Sequence, residues 1–441
     1  MKKAVLVVLA GLMVFFSALP VFAVDLKFNG DFRVRGFYTD NLKDQADSTD
    51  DATAYNSMRF LLTTTASAGV AKGVVTMDFT STSGTGNMRF GETGGAYGPK
   101  DDTFALLEAY IKADLRMAML SAGRQVFKIG HGILFEDPAD GFFLDVPLGP
   151  AKLTLVNLKT FDCTSSTTTA IGGTCTAGTS DDTDLYLSNV SFRPTGDLAS
   201  NIFFGLYKDR GPNISSGAFA AGTTDVELYI IGATADANVG PINLAAEIDY
   251  LTGDMNNNTA NADLDGLNLQ VGGSVNAGPA NVGLAILYAS GDDPNDNDVN
   301  INGLDGNFPA GIILTNGGAR SLAPKDGTCL SADGSALGGV PNCIGGAGLF
   351  AIKGTGSISP VDRLNLQADV IWAQSTEDSS TTVQEKDVGI ELDGTARYKL
   401  DDNFSVMTGI GYLLAGDFWK TATNTNPDNM IVVVGELSFH F

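Results

Sequence analysis

The sequence predicts an all-β protein: an 18-stranded antiparallel transmembrane β-barrel behind a cleaved leader. Three observations predict it. Runs of alternating apolar and polar residues recur along the chain and outlast an ordinary soluble strand. Long polar connections alternate with turns of one to three residues. The last residue is a bare aromatic, Phe441, with an alternating strand running straight into it.

Residues 1–23 read as a secretory signal peptide and 24–441 as an outer-membrane β-barrel. Lys2 and Lys3 precede a nearly unbroken apolar stretch from Ala4 to Leu19, and Val21 and Ala23 are the small residues before a cut. The apolar stretch stops at Pro20, short of the roughly 20 residues a membrane-spanning helix needs. No later stretch is apolar enough for such a helix. A membrane-embedded mature chain would therefore cross by strands.

Composition agrees. The chain has 53 glycines and only 15 prolines, with no Pro-rich linker to divide it. Net charge is −24, which argues against nucleic acid or an anionic lipid surface as partner. Four cysteines fall as two local pairs in Gly/Ser/Thr-rich stretches, Cys163 with Cys175 and Cys329 with Cys343. In an oxidising compartment nearest neighbours would pair as disulfides. The spacing lacks the C-x-x-C of a thiolate metal site, and there is no C-x-x-C-H for covalent haem, so no cofactor or metal is expected. Peptide mapping without reduction should show the two local links, each adding roughly 2–4 kcal/mol of local constraint. Free thiols or a cross-pair would overturn that pairing.

The first mature run, DLKFNGDFRVRGFYTD, sets Leu26, Phe28, Phe32, Val34 and Tyr38 against Lys27, Asp31, Arg33 and Arg35. Period two puts these sets on opposite faces. Soluble strands average nearer 5–6 residues, whereas crossing a bilayer takes ~9–11. Similar candidates follow at 55–67, 70–80, 103–114, 116–128, 141–147, 151–161, 182–193, 200–209, 224–236, 240–252, 264–276, 279–290, 346–358, 362–374, 386–399, 402–416 and 428–441. Three of these, 141–147, 182–193 and 200–209, are apolar on both faces. Tight turns fall at 68–69, 115, 148–150, 277–278, 359–361 and 401. Loops 81–102, 128–140 and 291–345 are the candidates to fold inward. Short turns on one side and long loops on the other mark outer-membrane barrels. An even strand number then leaves both termini periplasmic.

Tyr-x-x-Gly-Asp-like stretches at 250–254, 288–292 and 412–417 close upward strands in this scheme. They suggest an aromatic girdle at the outer rim, with Gly-Asp breaking the pairing. In lipid every backbone polar group needs an internal partner, so the last strand must pair with the first. Phe441, Phe439 and Leu437 then face lipid, while His440, Ser438 and Glu436 face inward.

Alternation assigns the pore-lining set. Asp31, Arg33, Arg35, Arg59, Glu108, Lys112, Asp369, Glu391, Asp393 and Arg397 should face inward, and Arg124 with them. Acidic and basic faces opposed across a pore would create a transverse field that sets ion preference. Salt bridging that merely stiffens the wall fits the same residues.

The stretches LSAGRQVFKIGHG (120–132), with Gly123-Arg124-Gln125, and KDVGIELDGTARYKLDDNFSVMTGIGYLLAGDFW (386–419) resemble the bacterial porins related to the alginate-export channel, an 18-stranded barrel. The chain is also similar to the abundant porin-like channels of metal-reducing bacteria. The terminal phenylalanine resembles the signal by which the barrel-assembly machinery recognises outer-membrane barrels. That likeness implies an assembly role for Phe441, Phe439 and Leu437.

Enzymatic motifs are sparse. The only histidines are His131 and His440, and neither G-x-S-x-G nor H-E-x-x-H occurs. A hydrolase would centre on His131 with Glu136, Asp137 and Asp140 nearby. The acidic stretch 290–307 fails as an EF-hand, because Asp298 and Leu304 stand where Gly and Glu are required. The expected function is a non-catalytic outer-membrane porin passing small hydrophilic solutes or ions by diffusion. Its partners would be lipid, lipopolysaccharide and the barrel-assembly machinery. The alternative is a sheath for a c-type multihaem cytochrome in an electron-transfer conduit.

Overall fold

The computed structural model describes residues 24–42, 52–79, 88–89, 105–161, 169–170, 173–174, 183–209, 223–257, 261–293, 298–301, 310–314, 347–378, 385–420 and 426–441. The leader, the four cysteines and most of 81–102 lie outside this set. Eighteen long strands form the wall. They are β1 (Asp25–Asp40), β2 (Thr53–Ala68), β3 (Ala71–Asp78), β4 (Ala105–Asp114), β5 (Met119–Ile129), β6 (Phe135–Leu148), β7 (Ala151–Phe161), β8 (Thr183–Thr195) and β9 (Leu198–Asp209). The second half continues with β10 (Thr223–Val239), β11 (Ile242–Asn257), β12 (Asn261–Ala277), β13 (Ala280–Ala289), β14 (Leu349–Val361), β15 (Leu364–Gln374), β16 (Asp387–Lys399), β17 (Phe404–Ala415) and β18 (Met430–His440).

Each strand pairs antiparallel with the next, and β18 pairs with β1 from Asp31↔His440 to Asp40↔Ile431. The sheet therefore closes on itself. Closure satisfies the ladder without an edge, which is the only way a sheet can cross a bilayer. The seam ends at Phe441, whose N–H donates to the Gly30 carbonyl at 3.0 Å while Gly30 N–H donates back at 2.9 Å. The Phe441 ring lies over Gly30, where any Cβ would strike it.

Alternation sorts the two faces as period two requires. On β1, Arg35, Phe37 and Thr39 are buried, while Phe28, Phe32 and Tyr38 are exposed. On β18, Glu436 and Ser438 are buried, and Leu437, Phe439 and Phe441 are exposed. An apolar exterior around a polar interior is the pattern of a transmembrane barrel.

The strands apolar on both faces have a physical reason. Leu158, Leu185, Leu187, Phe203, Leu228, Ile230 and Leu251 point inward and pack with Ile129, Leu134 and Phe135 in one buried cluster. Lipid takes the outer face, and an apolar filling takes the inner face of β6–β11.

Four sequence expectations change. The strand expected at 141–147 begins at Phe135, so the 128–140 loop shrinks to 130–134. The turn expected at 359–361 falls two residues later, after β14 reaches Val361. Gly253-Asp254 does not end a strand, because both residues pair with β10 and β11 runs on to Asn257. Finally, Arg124 is not on the inner face. It shares a face with exposed Leu120 and Val126 and pairs with Asp140, beside exposed Phe142.

Register explains how a charge stands there. Arg124, Asp140, Lys159, Asp184, Lys208, Glu227 and Asp254 are successive cross-strand partners on β5–β11. Along this outward row Arg124–Asp140 (3.2 Å), Lys159–Asp184 (3.5 Å) and Lys208–Glu227 (2.6 Å) are ion pairs. These three pairs neutralise six of the seven charges, and Asp254 ends the row exposed, beside the acidic Glu227.

Candidate functional site: a charged lumen narrowed by two inward loops

Except for Arg124, the charged residues expected inward share the buried face of their strands. The arginines gather in one arc. Arg33 and Arg59 are cross-strand partners on β1 and β2, and Arg35 is two residues along from Arg33. Arg35 Nε donates to Glu436 at 2.7 Å, both side chains being almost fully buried. Arg59 Nε donates to Asp78 at 2.8 Å, and Arg397 reaches Glu436 at 3.9 Å. Glu108 accepts from the Thr76 hydroxyl at 2.6 Å, and Lys112 stands four residues along the same strand, opposite Ser121. Asp31 pairs with His440 at 3.1 Å, at the end of the seam.

Glu391, Asp393 and Asp369 sit on β16 and β15, only a few strands from these arginines rather than across from them. The expected opposition of basic and acidic faces therefore has other members. Half-way round from β1, the wall carries Asp236 on β10 and Glu247 and Asp249 on β11. Periodicity places these three inward as plainly as it does Arg33.

Two connections fold into the lumen, and each is held by a carboxylate of the wall. The segment Ala310–Leu314, from the long connection between β13 and β14, lies against β16 and β17. Asp393 accepts the Ile312 N–H at 3.0 Å, and Glu391 accepts those of Ile313 at 2.6 Å and Leu314 at 2.8 Å. Lys353 donates to the Ala310 carbonyl at 2.9 Å and pairs with Asp369 at 3.2 Å. Gly311 is required, because a Cβ there would collide with the Glu391 carboxylate. The second segment is 130–134, between β5 and β6. Glu247 accepts the His131 backbone N–H at 2.7 Å, and Gly130 at φ 58° leaves no room for a Cβ against that same carboxylate. Ile133 and Ile312 share one apolar cluster, so the two segments meet on a common filling.

His131 fixes the second segment through its ring as well. Nδ1 lies 3.1 Å from Glu247 and Nε2 lies 3.2 Å from Asp236. The hydrogen bond to Glu247 raises its pKa above the histidine norm, burial opposes the rise, and Asp236 adds to it. Asp249 behind Glu247 and the Lys128–Glu136 pair beside Gly132 complete the charges around it. Because the folded pKa is raised, the imidazolium's hold is complete below the ordinary value of about 6.5 and fades as pH climbs through the raised one. Channel current should therefore grow noisier on the alkaline side, and His131→Gln should flatten that dependence. Equal noise at mildly acidic and alkaline pH in the unaltered protein would sink the assignment.

Both ring nitrogens of His131 face carboxylates, Nδ1 towards Glu247 and Nε2 towards Asp236. Glu136 is paired with Lys128 and Asp140 with Arg124. Among the described residues no group of three or more acidic, His or Cys side chains is arranged to hold a metal.

No family model matches the sequence, and no curated protein does. Solved structures do. The chain is similar to OpdL of Pseudomonas aeruginosa, with a TM-score of 0.56 at 12% identity over 95% of this chain and 99% of that one. It is similar to OccK8 (OprE) of the same organism, with a TM-score of 0.55 at 11% identity over 95% and 98%. OccAB4 of Acinetobacter baumannii gives 0.52 at 12% over 94% and 98%. At such identities the likeness speaks to the fold. It agrees with the closed 18-stranded transmembrane barrel.

Proposed function

We propose that the chain is an outer-membrane porin of a Gram-negative bacterium, passing small hydrophilic solutes or ions by passive diffusion. The observation that carries this is a closed barrel whose charged inner face is narrowed by two anchored loops. Eighteen strands enclose more room than side chains alone fill, and the loops reduce it to a selective path. The structural neighbours, outer-membrane porins, support the reading. In this reading the ends that carry the short turns are periplasmic, residues 1–23 are removed on export, and the chain does no catalysis. The outer face meets lipid and lipopolysaccharide, with assembly by the barrel-assembly machinery. Kinship with the alginate-export channels rests on segments 120–132 and 386–419 and on the C-terminal tail, and the likeness to the channels of metal-reducing bacteria is a separate resemblance of the chain. The sheath reading fares worse, because segments 130–134 and 310–314 occupy space a c-type cytochrome would need.

Purified protein in planar bilayers tests this. Ohmic conductance without any added protein is the expected result. Silence until a cytochrome is supplied would hand the case to the sheath. Selectivity gives a finer check. Two arginines on the lipid face near the midplane would cost roughly 2–4 kcal/mol each, so Arg33 and Arg35 belong beside the path. There they raise the local anion concentration. The reversal potential of Arg33→Ala/Arg35→Ala in a salt gradient should move toward cations. Normal insertion with unmoved selectivity would make these arginines wall struts.

A further inference from the structure

Between the anchors of the two inward loops lies a recess of about 440 Å³, and its walls differ from the rest of the lumen. One register line crosses it: Asp236, Ala245, Gly272, Ala285 and Lys353 are successive cross-strand partners from β10 to β14. Four inter-strand steps make the trough roughly 19 Å long. Its floor is two alanines and a glycine, so the room comes from missing side chains. The charges at its ends are engaged elsewhere. Asp236 holds His131, and Lys353 holds Asp369 and the Ala310 carbonyl.

The flanks are neutral and polar. Toward the short turns run Asn243, Ser274 and Asn281, joined by side-chain hydrogen bonds of 3.3–3.4 Å through the Ser274 hydroxyl. Toward the loops stands Gln270, opposite Glu247. Each amide offers both a donor and an acceptor at its tip. A ligand matched to such a wall carries donors and acceptors in equal measure and no net charge. A floor of small apolar residues matches the C–H face of a ring. The volume falls within the 300–1,000 Å³ of small-molecule sites.

We infer that this trough is a binding site for a neutral polyhydroxylated solute, a mono- or disaccharide in size, placed directly beneath the constriction. The inference rests on the porin reading and names a solute class for it. A molecule leaving the gap between the loops meets the trough next. Exchanging hydrogen bonds with water for those with Asn243, Gln270 and Asn281 gives weak, reversible retention, which a facilitated path needs.

The test is conductance in planar bilayers in potassium chloride, with glucose and sucrose added as probes. Sugar should reduce or interrupt the current in a concentration-dependent way. Gluconate, an anionic relative of glucose, should bind less well than glucose. Asn243→Leu and Gln270→Leu should each raise the half-blocking sugar concentration about fivefold, the value of one lost hydrogen bond, while leaving sugar-free conductance near that of the unaltered protein. An open channel indifferent to both sugars overturns the inference and leaves the porin reading standing. So does stronger block by a zwitterion such as glycylglycine, which would mean that the end charges are read. Absence of any current in potassium chloride overturns the porin reading itself.

Discussion

Glu391→Ala combined with Ile313→Asn is expected to raise the steady single-channel conductance severalfold, whereas Glu391→Ala alone should produce flicker. Magnitudes separate the two. Glu391 is fully buried and accepts the N–H groups of Ile313 and Leu314. Orphaning two buried donors costs about 1–3 kcal/mol each. Ile312, Ile313 and Leu314 are buried too, and keeping such side chains from water is worth about 1.5–3 kcal/mol apiece. The apolar term therefore still holds the segment inside when the carboxylate is lost, but with a much smaller margin. Current should visit a higher level without staying there. Placing a polar amide at Ile313 removes part of the remaining term and should make the higher level dominant. Outer-membrane abundance of both variants serves as the folding control. Normal abundance with a single unchanged conductance level would mean that segment 310–314 does not narrow the path.

Why the sequence disclosed the wall but not the constriction follows from the kinds of signal involved. The wall is written in period two, which survives without tertiary knowledge. Arg33, Arg35, Glu391 and Asp393 could all be assigned a face from their neighbours alone. Arg124 shows the limit. Its run, LSAGRQVFKI, alternates weakly because Gly123, at φ 120°, carries no side chain. Only the cross-strand row from Asp140 to Asp254 shows why a charge can face outward there. The inward segments were harder still. "AGIIL" at 310–314 is five residues in a long polar stretch, with no period to read. Its partner Glu391 is 77 or more positions away in sequence. The apolar inner face of β6, β8 and β9 is visible in the sequence as an anomaly, strands apolar on both sides. What it packs against was not visible, because Ile129, Leu134 and Phe135 read equally well as ordinary loop-edge residues. Asp236, Glu247 and Asp249 on β10 and β11 are the acids that stand across the lumen from the arginines.

Removing Phe441 is expected to cut outer-membrane abundance sharply while export across the inner membrane continues. Two effects combine there, and they can be separated. The first is the seam. Phe441 exchanges both backbone hydrogen bonds with Gly30, and its loss leaves those two groups without a partner at the margin of the apolar band. Each unsatisfied backbone group costs several kcal/mol in lipid. The second is the ring, which packs over Gly30 and lies 5.8 Å from the ring of Phe439. Phe441→Leu keeps the ladder and loses the ring. Gly30→Val keeps Phe441 but displaces its ring from the seam. If recognition by the assembly machinery needs the aromatic, Phe441→Leu should fall nearly as far as the deletion, and Gly30→Val should reach the membrane but unfold more readily on heating. If closure of the seam dominates, Phe441→Leu should assemble almost normally and Gly30→Val should be the more damaging. Heat-dependent gel mobility of the outer-membrane fraction distinguishes these patterns. Full assembly of the deletion variant would contradict both, because it would mean that β1 and β18 close without the pair of bonds that ends their ladder.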